Sequence, residues 1–243
     1  MMDAILKLDD LSKAFGAVKV ADGLTYDVTR GEALGIIGPN GAGKTSMFNL
    51  ITGTLRPDGG SITFDGTDVT SQSSARRSHV GIARSFQVPQ PFAHMTVFEN
   101  AMIAATQSAG LHGDEAETLC LNVLEQTGLF PKANVLAGSL TLLERKRLEL
   151  TRALCAKPKL LLLDEIAGGM TEAECQSLVQ TIKDIHASGV TIIWIEHVVH
   201  ALLAVVDRLI VIDFGRKIAE GEPRAIMESP QVKEIYLGIE ADV

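Results

Sequence analysis

Three segments in the first third of the chain largely alternate apolar and polar residues: Ile5-Leu6-Lys7-Leu8, Leu24-Thr25-Tyr26-Asp27-Val28 and Ser61-Ile62-Thr63-Phe64. A period of two predicts half-buried antiparallel strands, and Gly59-Gly60 and Asp65-Gly66 bracket the last of them as turns. Between the second and third segments the pattern changes. Ala33 to Ile37 is apolar at every position, a glycine-rich stretch follows, and Lys44 to Thr52 reads as a helix stopped by Gly53. This is a strand–loop–helix unit.

Beyond Pro89 and Pro91 the spacing becomes helical. Val97 to Thr106 and Ala116 to Gln126 carry apolar residues three and four apart, Gly128 stops the second, and Leu142 to Cys155 forms another helix, basic on one face. The last third alternates strand and helix: Leu160 to Leu163, Thr171 to Ser188 ended by Gly189, Val190 to Ile195, His197 to Val205, and Leu209 to Ile212. Strands that alternate with helices predict a parallel sheet built from βαβ crossovers, with its active site at the carboxyl ends of the strands. The fold class is therefore α/β, with an antiparallel β portion and an inserted helical lobe.

The glycine-rich stretch, Gly38-Pro39-Asn40-Gly41-Ala42-Gly43-Lys44-Thr45, fits the phosphate-binding pattern G-x-x-x-x-G-K-[ST]. Its glycines let the backbone wrap an anion with successive N–H groups pointing inward, on the N-terminus of the helix that follows. Lys44 would reach the β- and γ-phosphates and the Thr45 hydroxyl would ligate Mg²⁺, with Ser46 next in the same binding stretch. A second feature is Leu160-Leu161-Leu162-Leu163-Asp164-Glu165, an apolar strand delivering two adjacent carboxylates. Asp164 suits a water-mediated hold on Mg²⁺, and Glu165 suits a general base for an attacking water.

In order and spacing these motifs resemble the ATP-binding cassette (ABC) ATPases, and the resemblance runs over essentially the whole chain. It implies a P-loop NTPase core at residues 1–87 and 158–243 that includes an antiparallel β subdomain, and a helical subdomain at residues 88–157. It also implies roles for residues that mean little alone. Gln87, in Arg84-Ser85-Phe86-Gln87, resembles the glutamine that contacts Mg²⁺ and the attacking water. His197, after Ile193-Trp194-Ile195-Glu196, resembles the histidine that touches the γ-phosphate, and Phe15 occupies the place of the ring that stacks on adenine. Met95-Thr96-Val97-Phe98-Glu99-Asn100, Gly215-Arg216-Lys217-Ile218-Ala219-Glu220-Gly221 and Ile235-Tyr236-Leu237-Gly238 are similar to the ATPase subunits of importers for branched-chain amino acids and related polar compounds.

Two departures stand out. The family's signature Leu-Ser-Gly-Gly-Gln is replaced by Leu140-Thr141-Leu142-Leu143-Glu144. Thr141 keeps a hydroxyl for a nucleotide held by a partner chain, but leucines replace both glycines and Glu144 brings negative charge. After the acidic strand, Ile166 replaces a proline, and Thr171 replaces an aspartate or asparagine.

Composition narrows the picture further. With 30 acidic residues against 22 Lys and Arg, a net charge of −8 disfavours a nucleic-acid partner. Cys120, Cys155 and Cys175 are widely spaced and read as buried thiols in a reducing compartment. No secretory leader is expected at the acidic N-terminus, and Val198 to Ile212 is interrupted by His200, Asp207 and Arg208 well short of the roughly 20 apolar residues a membrane span needs. The resemblance then implies ATP and Mg²⁺ as cofactors. Its partners would be a second, different ATPase chain, two membrane permease subunits and an extracytoplasmic substrate-binding protein, with the chain held peripherally at the cytoplasmic face of the inner membrane. A soluble ABC ATPase without a permease, and a slowly hydrolysing regulatory partner, remain open at this point.

Overall fold

The computed structural model describes residues 3–237. In chain order the elements are β1 (Ala4–Phe15), β2 (Val18–Thr29), β3 (Ala33–Ile37), α1 (Lys44–Thr52), β4 (Gly59–Phe64), β5 (Thr67–Asp68), α2 (Ser74–His79) and β6 (Ile82–Ser85). Then come α3 (Val97–Gln107), α4 (Gly113–Gln126), α5 (Leu142–Cys155), β7 (Leu160–Asp164), α6 (Glu172–Ala187), β8 (Thr191–Ile195) and α7 (Val199–Leu203). The chain closes with β9 (Arg208–Asp213), β10 (Arg216–Gly221), α8 (Pro223–Glu228) and α9 (Pro230–Leu237). Of the phrase Ile235 to Gly238, Gly238 lies outside the described residues.

Two sheets organise these elements. One is antiparallel with order β2-β1-β4-β5; the other has order β10-β9-β3-β8-β7-β6. In the second sheet β9, β3, β8, β7 and β6 run parallel, and only the edge strand β10 is antiparallel. The continuous apolar runs follow from burial on both faces. Leu34, Ile36, Leu160, Leu162, Ile193, Ile195, Ile210 and Ile212 face a core shared with α1 and the antiparallel sheet. Their alternate neighbours, such as Ala33, Ile37, Leu161, Leu163, Ile192 and Trp194, face residues of α5, α6 and α7. Helices α3, α4 and α5 lie between β6 and β7 in the chain, and a small core of Val97, Leu124, Leu129, Ala137, Leu140 and Leu148 ties them together.

Several elements differ from the pattern-based reading. The first two strands extend well past Ile5–Leu8 and Leu24–Val28, because register shifts between Leu8 and Leu11 and again near Lys13 break the alternation without ending the ladder. Strand β6 is not predicted, since the apolar part of Gly81-Ile82-Ala83-Arg84-Ser85 ends at Arg84 and is too short to register as a buried strand. The helix expected from His197 to Val205 covers only Val199–Leu203. The N–H groups of His197 and Val198 go instead to the Glu196 carboxylate, at 2.9 and 3.3 Å, so the chain stays irregular there.

α1 presents its C-terminal carbonyls to a buried cation. Arg77 of α2 is 1% exposed and donates to the carbonyls of Leu50 (2.6 Å), Ile51 (2.9 Å), Thr70 (2.9 Å) and Gln72 (3.2 Å). A guanidinium at a helix C-terminus complements both the free carbonyls and the dipole. Charge-assisted bonds of this kind carry about 1.5–3 kcal/mol each, and carbonyls left without donors cost more. Arg77→Ala should therefore destabilise the chain by about 3 kcal/mol or more, lowering the thermal midpoint by roughly 6–12 °C. A melting curve within 1–2 °C of the natural protein's would mean that water replaces the guanidinium.

Candidate functional site

Four adjacent parallel strands, β3, β8, β7 and β6, release their chains at the same edge of the sheet, where such sheets build sites. Residues 38–43 follow β3, Asp164 ends β7 with Glu165 next, Glu196 and His197 follow β8, and Gln87 lies two residues past β6. Pairing in register sets Asp164 beside Ile195, and Ser85 beside Leu163.

The phosphate-binding loop is pressed against its neighbours. A Cβ at Gly38 would meet the Ile212 carbonyl oxygen at 2.0 Å; one at Gly43, whose φ is +102°, would meet the Val20 carbonyl oxygen at 2.2 Å. Only glycine fits either place. The loop passes directly into α1, whose first turn carries no acidic side chain, so the N-terminal dipole is free to favour an anion. Lys44 is 6% exposed and its Nζ donates to the carbonyls of Gly38 (2.7 Å) and Pro39 (3.0 Å). Burial pushes the Lys44 ammonium below its ordinary pKa, and the charges of Glu165 and Asp164 oppose that shift. Asn40, Gly41, Ala42, Gly43, Lys44, Thr45 and Ser46 line a cleft of about 470 Å³ together with Val18, Val20, Gln87 and Glu165.

Both carboxylates are fixed. Asp164 is 1% exposed; its Oδ2 lies 2.5 Å from Nη2 of Arg84, a β6 residue. Arg84 also donates to Asn49 Oδ1 (2.6 Å) and has the rings of Phe48 and Phe86 at 5.4 and 5.1 Å. Burial raises the Asp164 pKa, with Arg84 opposing. Its Oδ1 is buried without a hydrogen-bond partner. One carboxylate oxygen without a partner, and the Thr45 hydroxyl on the cleft wall, are hard oxygen donors of the kind that take Mg²⁺, so the residues fit that ion. Glu165 has φ +48°, a conformation side chains seldom adopt, and its N–H is tied to the Ile195 carbonyl at 2.9 Å. Its Oε1 pairs with His197 Nε2 at 2.9 Å, and its Oε2 accepts from Gln87 Nε2.

Lys44, Thr45, Gln87, Asp164, Glu165 and His197 are thus brought together. Phe15 and Thr141 are not. Phe15 is 54% exposed at the end of the β1–β2 hairpin, paired with Val18, which lines the cleft; it is not core. Thr141 caps α5: its hydroxyl accepts from the Glu144 N–H at 3.4 Å, and the Glu144 carboxylate accepts from the Thr141 N–H at 3.0 Å and from Lys132. Lys132 and that N–H hold the Glu144 carboxyl below its ordinary pKa. Glu144 brings its negative charge to this end of α5, with the carboxylate turned back onto its own helix and paired with Lys132. Leu142, next to the cap, is 62% exposed. Thr171 caps α6 in the same way with Glu174. Sequence reasoning missed Arg84 and Glu196; an arginine interrupting the otherwise small and apolar Gly81-Ile82-Ala83, and an acid closing the apolar run of β8, were the available signals.

Among the described residues no helix is long and apolar enough to cross a membrane. Residues 21–168 match the ABC transporter family model, and residues 216–242 match that of the branched-chain amino acid ATP-binding cassette transporter. The chain is 34% identical to the probable branched-chain amino acid transport ATP-binding protein LivG of Methanocaldococcus jannaschii, over 96% of this chain and 97% of that one. It is 32% identical to the high-affinity branched-chain amino acid transport ATP-binding protein BraF of Pseudomonas aeruginosa, over 98% and 99%. Its fold is similar to the crystal structure of an ABC transporter's ATP-binding cassette in its ADP conformation, with a TM-score of 0.88 and 32% identity over 98% of this chain and 100% of that one. Matching motifs, sheet order and full-length similarity agree: the chain belongs to the ABC transporter family, as an ATP-binding cassette ATPase.

Proposed function

We propose that this chain is the energy-supplying subunit of an importer for branched-chain amino acids or related small polar compounds. It works peripherally at the cytoplasmic face of the inner membrane, on two permease subunits served by an extracytoplasmic binding protein. The observation that carries the reading is the junction of Gln87, Glu165 and His197 opposite the Lys44 loop. The similarity at residues 216–242 supports the cargo class.

In this reading the N–H groups of residues 38–45 and the Lys44 ammonium bind the β- and γ-phosphates, and Phe15 stacks on adenine. Thr45, Asp164 and Gln87 hold Mg²⁺, which when bound neutralises charge on the phosphate oxygens. Glu165 takes a proton from the water whose oxygen attacks the γ-phosphorus as the bond to the β,γ-bridging oxygen breaks, giving phosphate and ADP, while Gln87 and His197 orient that water and the γ-phosphate. Residues 1–87 and 158–243 form the nucleotide-binding core, and residues 88–157 form the helical subdomain that meets the permeases.

A second ATPase chain completes each site. The N-terminus of α5, bearing Thr141, would face the partner's nucleotide. The N–H groups of Thr141 and Glu144 already serve the cap, and the next residue, Leu142, is an exposed bulky side chain where the family has a glycine. We infer a partner of different sequence and two unequal sites. With both chains and the permeases in vesicles, Lys44→Ala should abolish most transport-coupled hydrolysis, and removal of the partner's P-loop lysine should cost much less. Equal losses would refute the asymmetry. The importer reading itself falls if hydrolysis in those vesicles is unaffected by a binding protein loaded with leucine, isoleucine or valine.

A further inference from the structure

Glu196 takes no part in the chemistry proposed above, yet it is as deeply buried as Asp164. It is 1% exposed, and no cation lies within ion-pair distance of it among the described residues. Three main-chain donors hold it instead. Its Oε1 accepts from the Ala167 N–H at 2.6 Å, and its Oε2 accepts from the N–H groups of His197 at 2.9 Å and Val198 at 3.3 Å. Ala167 lies two residues after Glu165, and His197 carries the imidazole that meets Glu165. One carboxylate therefore spans the two loops whose side chains form the Glu165–His197 contact. The loop after Glu165 is held from its other side as well: Lys146 of α5 donates to the carbonyls of Ile166 and Gly168.

Even with these donors, and with the charge of Lys146 acting on it, a carboxylate without an ion-pair partner is costly to bury, and an apolar side chain would fill the same space at less cost. What an apolar side chain could not do is hold two loops at a fixed distance through directional bonds. Hydrolytic geometry is sensitive at that scale, since misplacement of a catalytic group by about 1 Å costs on the order of 100-fold in rate.

We propose that Glu196 is a positioning residue, which locks the loop following Glu165 to the loop carrying His197 so that imidazole and carboxylate meet in hydrolytic register. The proposal rests on the reading of Glu165 and His197 as hydrolytic residues, and it acts through His197. Lys146 anchors the same loop to α5, the helix whose N-terminus is placed opposite the partner's nucleotide, so the unit connects one site to the other.

The test compares Glu196→Ala, Glu196→Gln, His197→Ala and the Glu196→Ala/His197→Ala double variant. Each is measured in the complete complex, by steady-state hydrolysis and by equilibrium binding of ATP. Glu196→Ala should lower kcat by about tenfold or more while leaving nucleotide affinity within about twofold. Glu196→Gln keeps the shape and one acceptor, and should fall between it and the natural protein. The double variant should hydrolyse ATP within about twofold of His197→Ala alone, because the anchor has nothing left to position. Losses that multiply in the double variant would overturn the proposal, as would a Glu196→Ala or Glu196→Gln variant that weakens ATP binding as much as turnover. If His197→Ala turns over at the natural rate, the assigned role of His197 falls, and the proposal falls with it. If multiplying losses accompany a His197→Ala defect, only the positioning role is lost.

Discussion

Glu165→Gln is expected to bind ATP as the natural chain does and to hydrolyse it about 100-fold or more slowly. The substitution removes a proton acceptor and little else. The position keeps its length, its branching and its place at φ +48°, where the Ile195 carbonyl holds the N–H. Of the two side-chain partners, His197 and Gln87, each can still find an oxygen or an amide proton, provided the Gln87 amide turns over. With binding intact and cleavage slowed, the closed pair of cassettes should accumulate in ATP and be visible as a dimer by size-exclusion chromatography. Single-turnover kinetics decide the matter. Cleavage at the natural rate would remove Glu165 from the base role and transfer attention to His197.

Lys44→Ala should weaken ATP binding by about tenfold or more, with the chain still folded. The ammonium is the one cation among the residues lining the cleft, and it is nearly enclosed. A charge-assisted bond to phosphate in such surroundings is stronger than one at an open surface. The fold does not depend on it, because Met47, Phe48, Leu50 and Ile51 anchor α1 in the core independently. Nucleotide titration of the folded variant checks the expectation, and an unchanged affinity would dismiss the loop as a phosphate cradle.

Much of this site was legible in the residues because its chemistry is contiguous. Gly38 to Thr45 and Leu160 to Glu165 each carry strand, turn and reactive group in one short stretch, and the pattern of apolar runs placed them at the ends of buried strands. The parallel sheet was legible for the same reason. Arg84 and Glu196 were not, because their significance is relational. A guanidinium next to Asp164, 80 residues away in the chain, and a carboxylate reaching back 29 residues to Ala167, arise only once β6, β7 and β8 are paired. The end of α5 shows the limit from the other side. Substituting two glycines was readable as an obstruction, but the direction of Glu144 depended on Lys132 and on a capping geometry that charge counting does not see.

The lodging of Arg84 limits how the glutamine can travel. Gripped by Asp164, by Asn49 and by the ring of Phe48, Arg84 cannot slide without dragging the P-loop helix and the acidic strand along. Gln87 follows only three residues later, a tether of roughly 10 Å when fully drawn out. Ser85 is the last residue of β6 and is held beside Leu163, so withdrawal of Gln87 from Glu165 has to come from torsions within Phe86 and Gln87, a short crank turning on a fixed axle. Any displacement of the helices beyond Pro89 would have to pass through that crank to reach the Glu165 carboxylate, where it would make or break one amide contact.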